Sequence, residues 1–249
     1  MKTFVLVVTL LALTATGCHH KINAGVKGSG KREVQKRDVA SFTSISSMGA
    51  FSIEVVAQKT QSLEIEGDDN ILPLISTEVS SNTLRIKSDQ GFSVSEPIKI
   101  RISVPDLNAL HVSGAGTIDI AGLKNDSFAI ECDGAPTIKV TGTTKTVNIN
   151  TNGAAKIDTH ALRASTGVVE SKGVSKIDVD VKDQLDVNIS GPSTVTYEGD
   201  PTINKTIHGP GKVQKRESEG AFNTQMANEN RGLRVANCDA CHSQSTTIG

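Results

Sequence analysis

An eight-residue pattern occurs six times between residues 113 and 215, and its spacing is nearly constant. Each copy begins close to a glycine and has a β-branched residue four positions later. The glycines are Gly114, Gly134, Gly153, Gly173, Gly191 and Gly209, and the β-branched residues are Ile118, Ile138, Ile157, Ile177, Val195 and Val213. Polar residues flank each β-branched position, and this period of two predicts a strand with one buried face.

A second apolar strand precedes most of these glycines, for example over residues 128–132, 147–149 and 185–189. We expect the glycines to occupy tight turns, because glycine readily accepts a positive φ. A fixed period near 20 residues is typical of a solenoid, in which each unit buries its apolar face against the next. The chain lacks the leucine pattern of leucine-rich repeats, and a β-sandwich would not repeat identical corners. The sequence therefore predicts an all-β fold, a single-stranded parallel β-helix with rungs of about 18–20 residues.

The same pattern appears once further upstream, in the stretch MGAFSIEV that starts at Met48. The segments between it and the first regular copy read as strands, with a short helix or loop near residues 68–75. We therefore interpret residues 31–105 as an irregular first part of one solenoid domain, 31–216, that covers one end of its core.

The first residues have the form of a signal peptide, which we place at residues 1–17. The apolar run is too short to cross a bilayer. It ends in ATGC, which resembles the lipobox of bacterial lipoproteins, and this resemblance implies cleavage before Cys18 and a lipid on its thiol. An ordinary signal peptide followed by an unrelated cysteine is the alternative. Residues 18–30 then form a polar, glycine- and lysine-rich stretch that reads as a flexible tether.

Several landmarks in order resemble one known family. They are GSGKREVQKRDVASFTSISSMGAFSIEV, LEIEGDDNILPLISTEV, LRIKSD and ISVPDLNALHVSGAGTIDI, followed by further SGxxxI copies. Over residues 29–216 the chain is similar to the family described as "putative auto-transporter adhesin, head GIN domain". The resemblance implies a right-handed parallel β-helix that is exported and often lipid-anchored. It implies no mechanism and no catalytic or binding residue.

The outward positions of the repeat carry charged residues of both signs. The chain has 26 basic and 27 acidic residues and no basic stripe, so no nucleic-acid partner is expected. Asp119, Asp158 and Asp178 align on one outward face, and the last two are close enough to share Ca²⁺. Such carboxylates occur in polysaccharide-active β-helix enzymes, which is one alternative function. A mixed Asp/Lys ladder is more often a solvated face, so we predict no catalytic or metal site here.

The tail, residues 217–249, is polar and contains Cys238, Cys241 and His242 in the spacing C-x-x-C-H. This spacing resembles the haem attachment motif of c-type cytochromes. The other interpretations are a disulfide between the two cysteines in an oxidising compartment, free thiols in a disordered tail, or adventitious metal binding. We therefore expect no cofactor, with covalently bound haem c, and hence a redox lipoprotein, as the alternative.

Taken together, the sequence predicts an exported lipoprotein of the outer membrane that faces the periplasm or the cell surface. Its solenoid would act as a non-catalytic structural or adhesive module. The expected partners are the membrane through the lipid anchor and a polysaccharide or protein at the cell surface. End-to-end self-association is also expected to be possible, because the last rung exposes strand edges.

Overall fold

The computed structural model describes residues 25–216, and strands dominate this part of the chain. Within these residues there is one short 3-10 helix, Leu72–Leu74, and no helix that is long and apolar enough to span a bilayer. The strands are β1 Val26–Lys27, β2 Arg32–Lys36, β3 Ser44–Met48, β4 Ser52–Ala57, β5 Ser62–Asp68, β6 Ile75–Ser80, β7 Thr83–Ser88, β8 Phe92–Ser93, β9 Lys99–Val104, β10 Ala109–Val112, β11 Thr117–Cys132, β12 Thr137–Thr151, β13 Lys156–Ser171, β14 Lys176–Ser190, β15 Thr194–Glu198, β16 Thr202–His208 and β17 Lys212–Lys215.

Two rows of parallel strands run the length of the solenoid, which has about five turns. The first row consists of β9, β4, the first halves of β11 to β14, then β15 and β17. The second row consists of β7, β3, β10, the second halves of β11 to β14, and β16. A second-row strand and the first-row strand that follows it form one layer. This arrangement confirms the predicted parallel β-solenoid.

The β-branched residues of the repeat form an inward ladder in the first row. Ile118 pairs in register with Ile138, Ile138 with Ile157, and so on to Val213. Ile138, Ile157 and Ile177 have no measurable solvent exposure. Burial of each such side chain stabilises the fold by roughly 1.5–3 kcal/mol, so every layer depends on its neighbours.

The first layers do not follow chain order. The strand β4 lies between β9 and β11, so the chain makes β3 and β4, moves outward through β5 to β9, and then returns to continue the stack at β10. At the outer edge β5 pairs antiparallel with β2 and β9, and β6 pairs antiparallel with β7. Ile71 and Leu72 are fully buried at this end. Antiparallel strands and a short helix therefore close this end of the apolar core.

The folded part begins before residue 31, although residues 18–30 were predicted to form a flexible tether. The strand β1 pairs in parallel with β8, with Val26 opposite Phe92. The amides of Val26 and Gly28 donate to the carbonyls of Gly91 and Ser93, each at 2.8 Å. Residues 25–30 therefore pack against the solenoid, and the predicted boundary at residue 30 is corrected.

The glycines of the repeat form a column at the corner of each layer, here called the glycine corner: Gly49, Gly114, Gly134, Gly153, Gly173, Gly191 and Gly209. A Cβ on Gly134 would lie 2.1 Å from the Gly114 carbonyl oxygen, and one on Gly153 would lie 2.2 Å from that of Gly134. Within this column, positive φ is found at Gly49, Gly191 and Gly209. The predicted reason was thus wrong for the middle of the column, where the close approach of successive backbones excludes a side chain.

Candidate binding surfaces

The outward face of the first row carries the predicted carboxylate ladder. The register Asp119, Lys139, Asp158, Asp178 places the last two residues on adjacent strands, as expected. Asp158 accepts hydrogen bonds from the backbone amide and ring of His160. Asp178 lies 3.4 Å from the Arg216 guanidinium. Each carboxylate thus faces its own basic partner, and residues 25–216 contain no group of three or more acidic, His or Cys side chains arranged to hold a metal ion.

A group of charged residues, which shares Asp158 with the ladder, lies where each first-row strand bends towards the second row. We call Asp158, His160, Arg163, Asp180 and Glu198 the charged bend. Register shifts fall in this region of every central pair, for example between Thr159 and Arg163. A shallow groove of about 640 Å³ runs across the layers here, and its lining includes His160, Arg163, Asp180 and Glu198.

The acidic groups of the charged bend differ in their electrostatics. Burial raises the pKa of Asp180, and the neighbouring Glu198 carboxylate raises it further. Burial would also raise the pKa of Asp158, but the hydrogen bonds from His160 outweigh it and leave this pKa below its usual value. The groove therefore offers basic side chains that donate hydrogen bonds and carboxylates that accept them. This combination suits hydroxyl-rich or polar polymeric ligands.

The sequence predicted one member of the charged bend, Asp158, as an outward ladder residue. His160 and Asp180 continue the same outward alternation along their strands, but Arg163 becomes the neighbour of Asp180 only through a register shift. The available signal was the run DVD at residues 178–180, in which Asp180 follows Asp178 at the outward spacing of two within β14.

A shallow depression of about 350 Å³ lies on the second-row face. Ser46, His111 and Glu131 are neighbours in register there, and His111 Nδ1 lies 2.8 Å from a Glu131 carboxylate oxygen. Within the described residues no hydrogen bond joins Ser46 to His111, so the contact that would activate a serine nucleophile is not made. The depression is a polar surface feature with Arg85 and Asp133 at its rim.

The residues predicted for modification lie elsewhere. Cys18, Cys238, Cys241 and His242 fall outside the described residues 25–216. Cys132 ends the apolar strand predicted over residues 128–132, points inward and is 2% exposed. Burial, with Asp133 and Glu131 adding to it, raises the pKa of this thiol to about 12, so it is a packing residue rather than a nucleophile.

Residues 41–201 match the model of the family described as "putative auto-transporter adhesin, head GIN domain". This match covers more than half of the 249-residue chain. The chain belongs to this family. An adhesin-like family indicates an exported or cell-surface protein and favours a structural or adhesive role over catalysis.

One solved structure shares the fold of this chain. A protein from Bacteroides fragilis, described as a putative adhesin, is 26% identical, with a TM-score of 0.62 over 77% of this chain and 100% of that one. A protein from Parabacteroides distasonis, described as a putative lipid binding protein, is 21% identical, with a TM-score of 0.46 over 77% of this chain and 99% of that one. The search of curated proteins returned no match.

Proposed function

We propose that this chain is a lipid-anchored, outer-membrane protein whose solenoid displays flat polar faces as a non-catalytic adhesive or structural module. The membership of residues 41–201 in an adhesin-like family carries this proposal. The outward faces support it, because Thr, Lys, Asp and Asn side chains cover both strand rows while most of the apolar side chains point inward. The anchor is assigned to Cys18 on the lipobox resemblance.

The ligand class that these faces suit is a polysaccharide or the polar surface of a protein. Binding would use many weak contacts along the stack, since one layer follows the next at about 4.8 Å. The charged bend adds donors and acceptors along the same direction.

Arrays of glycans and proteins test the proposal when they are probed with the chain carrying Cys18→Ser. We expect binding to a polar polymer without its cleavage. An increase in reducing ends of a bound polysaccharide that disappears in Asp158→Asn would contradict the non-catalytic role and favour the alternative, a polysaccharide-active enzyme.

The C-x-x-C-H spacing at Cys238, Cys241 and His242 motivates the second candidate, a haem-bearing redox lipoprotein. In that function the two thiols would bond to the haem vinyl groups and His242 would ligate the iron. Production of the exported chain with a haem-maturation system tests it. A Soret band that is lost in Cys238→Ser/Cys241→Ser would support this function, and colourless protein would remove it.

A further inference from the structure

The stretch GDDN at Gly67–Asn70, which enters the region predicted as a short helix or loop, forms several hydrogen bonds with the N-terminal segment. Asn70 accepts a hydrogen bond from the Ser29 amide at 2.9 Å through its side-chain oxygen and donates to the Lys27 carbonyl at 2.8 Å. Asp69 accepts from the Ser29 hydroxyl at 2.6 Å. We call residues 25–31 the strap and Asp68, Asp69 and Asn70 the clasp.

The third member of the clasp is a buried carboxylate. Asp68 is 3% exposed and accepts a hydrogen bond from the Gly30 amide at 3.0 Å. The Arg32 guanidinium lies 3.7 Å from the same carboxylate, which compensates its burial. The Asp69 amide in turn donates to the Lys31 carbonyl at 2.9 Å. Side chains of the clasp and the backbone amide of Asp69 thus form hydrogen bonds with the strap.

Glycine at position 28 is required for this contact. A Cβ on Gly28 would lie 2.0 Å from a carboxylate oxygen of Asp68, and one on Gly25 would lie 2.5 Å from the Gly91 carbonyl oxygen. The hydrogen bond from Ser29 also lowers the pKa of Asp69 and keeps that acceptor ionised. The strap is therefore seated by specific contacts and differs from a freely moving linker.

The clasp lies at the end of the stack that the antiparallel strands close. It begins at the last residue of β5, and the strap itself pairs with β8, beside the outermost layers of the two rows. From β2 at this end to β17 at the other, the first row together with β5 and β2 spans nine interstrand steps, or about 43 Å.

We infer that the clasp holds the N-terminal end of the solenoid against the membrane and directs the C-terminal layers away from it. This inference rests on the proposed lipid at Cys18. Between Cys18 and the seated Gly25 the chain can reach at most about 25 Å, whereas a tether free up to residue 31 would reach about 47 Å. The partner of the N-terminal end is thus the lipid surface.

Amide hydrogen exchange of the chain carrying Cys18→Ser tests the strap without the membrane. We expect protected amides at Val26, Gly28 and Gly30, and a loss of protection of about tenfold or more in Gly28→Ala. Gly91→Ala is the matched control, because its Cβ meets nothing closer than 3.9 Å. Asn70→Ala, at an exposed turn, removes two hydrogen bonds of the clasp by shortening the side chain, without introducing a steric clash. If the strap amides are already unprotected from exchange in the chain that carries Cys18→Ser alone, the inference is overturned.

Energy transfer to labelled lipid tests the orientation of the lipidated chain in vesicles of phosphatidylethanolamine and phosphatidylglycerol. Single dyes are placed through Gln90→Cys near the strap or His208→Cys in the last layer, in a Cys238→Ser/Cys241→Ser background. We expect strong transfer from position 90 and weak transfer from position 208, with a smaller difference in Gly28→Ala. Equal transfer would overturn the orientation. Failure to float with the vesicles would overturn the anchor itself, and the membrane role of the clasp with it.

Discussion

The glycine corner and the charged bend lie at the two ends of each first-row strand, and they obey different constraints. At the corner, backbones approach so closely that a Cβ on Gly173 would lie 2.1 Å from the Gly153 carbonyl oxygen. At the bend the register shifts, and charged residues such as His160, Arg163 and Asp180 line an open groove. The corner fixes the shape of the solenoid, and the bend leaves room for side chains that can meet a ligand.

The inward ladder supports both regions, so a charge within it should have the largest effect. Ile157→Asp buries an unpaired carboxylate between Ile138 and Ile177, and we expect a loss of about 4 kcal/mol or more in the free energy of unfolding. Urea unfolding measures this loss. Lys156→Asp, at the exposed neighbouring position, is the control and should change stability by less than about 0.5 kcal/mol. Comparable losses in both variants would contradict the inward ladder.

Gly153→Ala tests the corner itself. The new Cβ would meet the Gly134 carbonyl oxygen at 2.2 Å, so two layers must separate or shift, and we expect a loss of about 1–3 kcal/mol. Urea unfolding of Gly91→Ala provides the comparison, since that site has room for a methyl group. If the two variants unfold at the same urea concentration, close backbone contact is not what requires glycine at the corner.

A buried hydroxyl network near the corner should show a smaller effect. Ser193 Oγ lies 2.7 Å from Ser171 Oγ, accepts from the Ser175 amide at 3.0 Å and donates to the Gly173 carbonyl at 2.8 Å. Ser193→Ala removes these bonds from a buried site, and thermal or urea unfolding should show a loss of about 1–2 kcal/mol. The exposed Ser190→Ala is the control, and an equal change there would argue against the network.

The charged bend should give the smallest effects, with opposite signs for two carboxylates. The lowered pKa of Asp158 means that its ionised form stabilises the fold above the unfolded value of about 3.9, and this is lost as pH falls through the folded pKa. The raised pKa of Asp180 means that its ionised form destabilises the fold, and this cost disappears as pH falls. We expect Asp158→Asn to lower and Asp180→Asn to raise stability at pH 7, each by less than about 1 kcal/mol.

Unfolding of both variants at pH 7 and again near pH 3 checks this prediction. Both differences from the unsubstituted chain should shrink at the lower pH. There the aspartate of the unsubstituted chain becomes protonated and loses the same charge that the substitution by Asn takes away. A loss of stability in Asp180→Asn at pH 7 would contradict the electrostatics of the charged bend.

The regular part of this fold could be predicted from sequence because its constraint is local and repeats. A β-branched residue four positions after each glycine, as in Gly153 and Ile157, reports the same packing in every layer. The reason for the glycines could not be predicted, since the close contact joins residues of different layers, such as Gly134 and Gly153. The sequence period describes the residues within one layer, whereas this backbone contact joins two successive layers.

The contacts that form the charged bend and the clasp were not predictable for a related reason. Arg163 and Asp180 become neighbours only through a register shift, and Ser29 and Asn70 are separated by 41 positions in the sequence. Neither pairing has a period or a motif. The order of the first layers, in which β4 is inserted between β9 and β11, likewise departs from chain order and has no local signal.

Protease shaving of intact cells, with lysed cells as the control, tests the central claim most directly. A displayed solenoid should be lost from intact cells when the chain is followed by blotting, because its faces and charged bend would be open to the outside. Survival until lysis would place the chain inside the envelope and contradict surface display, even if every structural prediction above were confirmed.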